Sequence, residues 1–215
     1  MTMPEMTIGI EDVDLEATLE LPATARGVVV FAHGSGSSRL SPRNVAVADH
    51  LRETGVFGTL LFDLLTPVED RDYDNRFDIV LLTRRLTGAC RWLGELPEAS
   101  GLPIGLFGAS TGAAATLRTA VKLPDSVASI VSRGGRPDLA ADALPKVQVP
   151  TLLIVGSADE VVIQLNEQAL AEMPAGVAHL EIVAGATHLF EEPGALEEVS
   201  RLTREWFERT LDGRS

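Results

Sequence analysis

Six short apolar runs, separated by longer amphipathic stretches, leave few architectures open to this chain. They are Gly27–Ala32, Phe57–Phe62, Pro103–Phe107, Val127–Val131, Thr151–Val155 and Leu180–Ala184. A strand that is apolar throughout is buried on both faces, as parallel strands sandwiched between helices are. The stretches between them carry helical signals. Pro42–Glu53 follows an N-cap Ser41, has Pro at its first turn and stops at Gly55. Asp78–Leu93 places Ile79, Leu82, Leu86 and Leu93 on one face, Thr111–Lys122 follows the third run, and Val161–Met173 stops at Pro174. A last helix, from about Ala195 to Leu211, turns Leu196, Val199, Leu202, Trp206 and Phe207 inward.

Ahead of these runs, Thr7–Ile10 and Val13–Leu21 are joined by Glu11-Asp12. The second segment alternates Leu15, Ala17, Leu19 and Leu21 with polar residues, the pattern of a strand with one wet face. The expected fold is a mostly parallel, eight-stranded α/β sheet with an antiparallel N-terminal edge and helices on both faces. No linker rich in Pro, Gly or Ser divides the chain, so residues 1–215 read as a single domain.

Composition narrows the function. A net charge of −13 argues against nucleic acid and against an anionic membrane surface as partners. No apolar run reaches the roughly 20 residues that span a bilayer. The acidic start, without a basic region or cleavage site, does not read as a signal peptide. A single Cys forms no internal disulfide, which suits a cytoplasmic location. That residue, Cys90, lies mid-helix beside Trp92 and reads as core packing. No His/Cys/Asp cluster has metal spacing, and neither a metal nor another cofactor is expected.

In a parallel sheet, ligands bind beyond the carboxyl ends of the strands, so chemistry belongs just after an apolar run. Gly108-Ala109-Ser110-Thr111-Gly112 stands there, between a strand and a helix of small residues. The pattern G-x-S-x-G in that context lifts a Ser out on a strained turn, with glycines where side chains would collide. Ser110 is therefore the candidate nucleophile, and it needs a base. His50 reads as a surface helix residue and His179 as structural, whereas His188 sits in the loop after the last strand. Asp159, just past Thr151–Val155, is the candidate acid that orients His188, in the chain order Ser, Asp, His. Glu160, Asp125, Asp138 and Asp142 remain alternatives for that role.

An acyl-transfer site also needs preset oxyanion donors. The backbone N–H groups of Thr111 and Ser35 are the candidates, the second from the loop Ala32-His33-Gly34-Ser35-Gly36. Gly34 acts there as the hinge, and His33 braces the loop; both would border the substrate. A phosphate cradle is a poorer reading of this loop, since no Lys follows and G-x-G-x-x-G is absent.

Phe31–Gly34, Gly108–Gly112, Gly156–Asp159 and Gly185–His188 together resemble the α/β-hydrolase superfamily, and within it the capless dienelactone-hydrolase-like group. The likeness spans nearly the whole chain. It implies an α/β-hydrolase fold with no cap domain, because the connection from Val131 to Thr151 is too short for one. Dienelactone hydrolases carry Cys in the elbow where this chain has Ser110, which points to ester or thioester cleavage in general. A peptidase or acyl-protein thioesterase would use the same triad. A non-catalytic hydrolase-like interaction module would have a broken one.

Arg39, Arg43, Arg71, Arg76, Arg133 and Arg136 are placed in loops on the expected active-site edge of an otherwise acidic chain. Arg133 is a candidate ligand for a carboxylate or phosphate on a small-molecule ester substrate. Ion pairing with Asp63, Asp70, Asp74 or Asp138 is the competing and favoured reading of its role. Nothing in the sequence bears on the oligomeric state.

Overall fold

The computed structural model describes residues 5–211. Residues 1–4 and 212–215 of the single-domain reading lie outside the described part. Among the described residues eight strands form one sheet: β1 Glu5–Ile10, β2 Val13–Glu20, β3 Gly27–Ala32, β4 Phe57–Phe62, β5 Ile104–Ala109, β6 Val127–Arg133, β7 Thr151–Gly156 and β8 Ala178–Val183. Their order is β1-β2-β4-β3-β5-β6-β7-β8. β2 runs antiparallel to both β1 and β4, and every later pairing is parallel. Five α-helices cover it: α1 Pro42–Arg52, α2 Ile79–Glu95, α3 Thr111–Lys122, α4 Glu160–Glu172 and α5 Ala195–Leu211.

The strand sequences explain why helices must cover both faces. Successive side chains point to opposite sides. In β3, Val28 and Val30 join the core beneath α2 and α3, whereas Val29 and Phe31 join the core beneath α1 and α5. All six residues of β3, β4, β5 and β7 are buried, as are all seven of β6. β8 departs from the expectation that every apolar run is buried on both sides. It pairs only with β7, and Ile182 is 43% exposed, because the helices cover an edge strand only in part; His179 still packs on Trp206 of α5.

Local chemistry sets the helix starts. Ser41 caps α1 by accepting from the Asn44 N–H, with Pro42 in the first turn. Asp78 caps α2 by accepting from the Leu81 N–H at 2.9 Å. Two strands run further than expected, to Ala109 and Arg133, since Gly108 pairs with Ser132 and Ala109 with Arg133 in a continuing parallel ladder. Arg133 is thus the buried last residue of a strand rather than part of a loop. Between β6 and β7 lie only two short 3-10 turns, Pro137–Ala140 and Leu144–Lys146, so no helical cap covers this edge. Among the described residues no helix is long and apolar enough to cross a membrane.

Candidate active site

Ser110 sits between β5 and α3 with φ 50° and ψ −117°, a conformation that costs a non-glycine residue about 1–3 kcal/mol. The turn is held from β6: the Ser110 N–H donates to the Arg133 carbonyl at 3.2 Å, and the Arg136 N–H donates to the Ser110 carbonyl at 3.1 Å. Both flanking glycines are required sterically. A Cβ on Gly108 would lie 2.5 Å from the Ala113 Cα, and one on Gly112 would lie 2.2 Å from the Ala32 carbonyl oxygen. The elbow therefore packs directly on the backbone that follows β3.

That backbone carries the glycine-rich loop. His33 is buried, and burial holds its pKa below the ordinary imidazole value. The Leu64 N–H donates to His33 Nε2 at 3.0 Å, so the ring proton resides on Nδ1, which donates to the Gly34 carbonyl at 2.9 Å. Both nitrogens are engaged within the protein, and His33 braces the loop. Gly34 packs over the nucleophile: a Cβ there would meet the Ser110 Cβ at 3.2 Å. Ser35 follows and lines the cavity that Ser110 borders, and with Thr111 it lines a smaller adjoining hollow; the Thr111 N–H opens α3 without an acceptor from within the helix.

The acid and base arrive from β7 and β8. Asp159 is the residue just before α4, and its Oδ2 lies 2.6 Å from His188 Nδ1. His188 keeps 39% of its side chain exposed and Asp159 15%. The His188 loop is tied down at two places. Ala158 N–H donates to the Ala186 carbonyl at 2.9 Å, and Glu192 accepts from the Thr187 N–H at 3.1 Å and the Thr187 hydroxyl at 2.5 Å. Among the other acids considered, Glu160 begins α4, Asp138 pairs with Arg136 and Asp142 pairs with Arg118. Asp125 lines a separate hollow of about 630 Å³ at the amino ends of the strands. That hollow holds no nucleophile with a base beside it.

Ser110 and His188 border one cavity of about 210 Å³ at the carboxyl edge, although no hydrogen bond joins their side chains. Such bonds are commonly loose without substrate. Gly34, Ser35 and Arg133 also line this cavity, whereas His33 and Thr111 line a smaller hollow that shares Gly34 and Ser35 with it. The cavity is also lined by Arg43, expected on this edge in a loop but standing in the first turn of α1, and by Ser41 and Asn44, which the sequence did not assign to the site. The Ser41-Pro42 signal announced the start of α1 but not the direction in which that start faces. Among the described residues no group of three His, Cys, Asp or Glu side chains is placed to hold a metal.

A mostly parallel sheet, a strained Ser after β5 and an imidazole–carboxylate pair after β7 and β8 define the α/β hydrolases. The chain belongs to the dienelactone hydrolase family, whose model matches residues 15–212. It is 48% identical to a dienelactone hydrolase from Anabaena variabilis, with a TM-score of 0.93 and 98% of each chain covered. Est1E from Butyrivibrio proteoclasticus shares the fold at 16% identity, with a TM-score of 0.80 over 95% of this chain and 98% of that one. A Mycobacterium tuberculosis protein with a provisional phosphoribosyl transferase name is 53% identical over 203 residues. The match covers 94% of this chain but only 45% of that protein, so this chain spans less than half the length of the curated relative.

Proposed function

We propose that this hydrolase is a serine esterase in which Ser110 is the nucleophile, His188 the general base and Asp159 the group that orients the imidazole. The observation that carries the reading is the 2.6 Å bond from Asp159 to His188 Nδ1, on a ring that shares its cavity with Ser110. That bond keeps the proton on Nδ1 and leaves Nε2 free to accept.

Each step balances. Ser110 Oγ forms a bond to the carbonyl carbon while its proton passes to His188 Nε2. The oxyanion is met by the backbone N–H groups of Thr111 and Ser35. Collapse breaks the carbon–oxygen bond to the alcohol, which leaves with the proton from His188; a thioester would release a thiol in the same way. Water then adds to the acyl-enzyme, gives its proton to His188, and releases the acid with Ser110 restored.

The uncapped edge and small cavity favour small esters over peptides, whose recognition requires a longer binding groove. The phosphoribosyl transfer named for the curated relative finds no support in this edge, and most of that relative lies outside the match. Turnover of a panel of p-nitrophenyl esters by wild type, Ser110→Ala and His188→Ala tests the reading. Either substitution is expected to lower kcat by about 10⁶. Retention of turnover by folded Ser110→Ala refutes the mechanism. Failure of a fluorophosphonate to label Ser110 in the wild type would favour a non-catalytic domain.

A further inference from the structure

Most arginines of the active edge have acids of their own. Arg39 pairs with Asp63 at 3.0 Å, Arg76 with Asp70 at 2.9 Å and Arg136 with Asp138 at 2.7 Å. Arg133 does not. It is only 7% exposed, yet the guanidinium has, among the described residues, only a long 3.4 Å bond from Nη2 to Asn44 Oδ1, and Nε has no partner. Among the described residues no carboxylate lies within ion-pair distance of it. The face of Phe190, 5.8 Å from the guanidinium carbon, supports it from one side. The pairing favoured from sequence is therefore not what this arginine does.

A buried guanidinium without a counter-ion is expensive, and its surroundings make the deficit worse. Burial and the neighbouring Arg43 guanidinium push the Arg133 pKa down to about 10, which leaves it charged at neutral pH. Arg43 is matched only by Glu191, at 2.9 Å on the exposed side, and its own Nε is buried without a partner. The N-terminus of α1, an 11-residue helix, opens on the same cavity and adds its partial positive charge. The nearest carboxylates are engaged away from Arg133, Glu191 on the outer side of Arg43 and Asp159 behind His188, so the buried guanidinium itself faces the cavity without a counter-ion.

We propose that this cavity is an anion subsite, and that the ester cleaved at Ser110 carries a phosphate group held by the side chains of Arg133 and Arg43. The inference deepens the esterase reading and rests on it. Donors converge from three elements: Arg133 from the sheet, Arg43 and Ser41 from the start of α1, and Ser35 and Ser37 from the glycine-rich loop. A tetrahedral group with three acceptor oxygens and a charge near −2 uses such an array more fully than a planar carboxylate does. The loop lacks the sequence pattern of a phosphate cradle, because side chains of β6 and α1 supply the charge. A volume of about 210 Å³ holds roughly seven waters, so the phosphate lies only a few bonds from the scissile carbonyl.

The test measures binding and turnover separately. Inorganic phosphate and glutarate are titrated calorimetrically into wild type, Arg133→Met, Arg43→Gln and the remote control Arg118→Gln, with melting curves to verify folding. Phosphate is expected to bind wild type and Arg118→Gln alike, ahead of glutarate, and about 10- to 100-fold more weakly to Arg133→Met. Should Arg133→Met fail to fold, the partly exposed Arg43→Gln must show the weakening. For turnover, 4-nitrophenyl 3-phosphonopropanoate is compared with its neutral dimethyl phosphonate ester. The ratio of their kcat/KM values is expected to exceed 10 in wild type and to approach one in Arg133→Met. Equal phosphate affinity in wild type and both arginine variants overturns the subsite, and tighter glutarate binding overturns the phosphate assignment. Phosphate binding that depends on Arg133, in a protein where Ser110→Ala leaves turnover intact, would instead sink the esterase reading and spare the subsite.

Discussion

Gly112 is the position at which fold and proposed chemistry are most tightly joined. It follows Thr111 in the first turn of α3, and the space where a Cβ would stand is already filled by the β3 strand end. A methyl there would lie 2.2 Å from the Ala32 carbonyl oxygen and 2.6 Å from that of His33. Carbon and carbonyl oxygen rest no closer than about 3.3 Å, so Gly112→Ala must force the two backbones apart by about 1 Å. Overpacking of this kind destabilises by about 1–3 kcal/mol. The displaced segments carry Thr111 on one side and the His33–Ser35 loop on the other, the two proposed oxyanion donors. A 1 Å misplacement of such groups is worth about 100-fold in rate. The assay is kcat/KM for p-nitrophenyl acetate on purified Gly112→Ala, with urea melts in parallel. Gly94→Ala, in α2 where a Cβ meets nothing within 4 Å, is the matched control and is expected to retain activity. It should gain up to about 1 kcal/mol of stability. A folded Gly112→Ala with wild-type kcat/KM would show that the close approach of elbow and loop does not set the donors.

Two further outcomes follow from the same geometry. Asp159→Asn preserves shape but lets an amide donate toward Nδ1, favouring the wrong tautomer of His188; kcat is expected to fall about 10³- to 10⁴-fold with KM little changed. A loss under tenfold in steady-state assays would remove Asp159 from the orienting role. Cys90 is fully buried in α2, and burial pushes its thiol up to about 12, against about 8.5 in the unfolded chain. Between those values the unfolded thiol releases a proton that the native one keeps, so stability is intact below about pH 8.5 and falls as pH rises. Urea melts at pH 8 and pH 10 should show wild type losing about 2 kcal/mol more than Cys90→Ala. Parallel losses in the two proteins would contradict the burial argument.

Much of this site is readable from the chain because each of its signals is local. A strand, a small-residue helix and glycines at Gly108 and Gly112 suffice to mark Ser110, and apolar runs mark where Asp159 and His188 emerge. The boundaries at Ala109 and Arg133 were not readable in that way. The strands extend there because neighbouring strands continue the hydrogen-bond ladder, and Gly108, Ser132 and Arg133 carry no apolar signal of it. β8 misled for the complementary reason: Leu180–Ala184 read as an apolar run although Glu181 interrupts it, and the sheet order places the strand at an edge where Ile182 is exposed.

The sequence by itself determined the layered α/β architecture, the emergence of Ser110, Asp159 and His188 at successive strand ends, and the steric need for glycine around the elbow. These rest on periodicity and on contacts within a few residues of one another. Only the tertiary structure decided which of the active-edge arginines is buried without an acid. Arg39, Arg76, Arg133 and Arg136 look equivalent along the chain, and charge pairing depends on distances between segments that periodicity does not encode. Folding gives three of them a carboxylate and carries the fourth into the sheet edge beside Ser110, against the start of α1. The difference is one of long-range geometry, and it separates a surface charge from a candidate ligand for substrate.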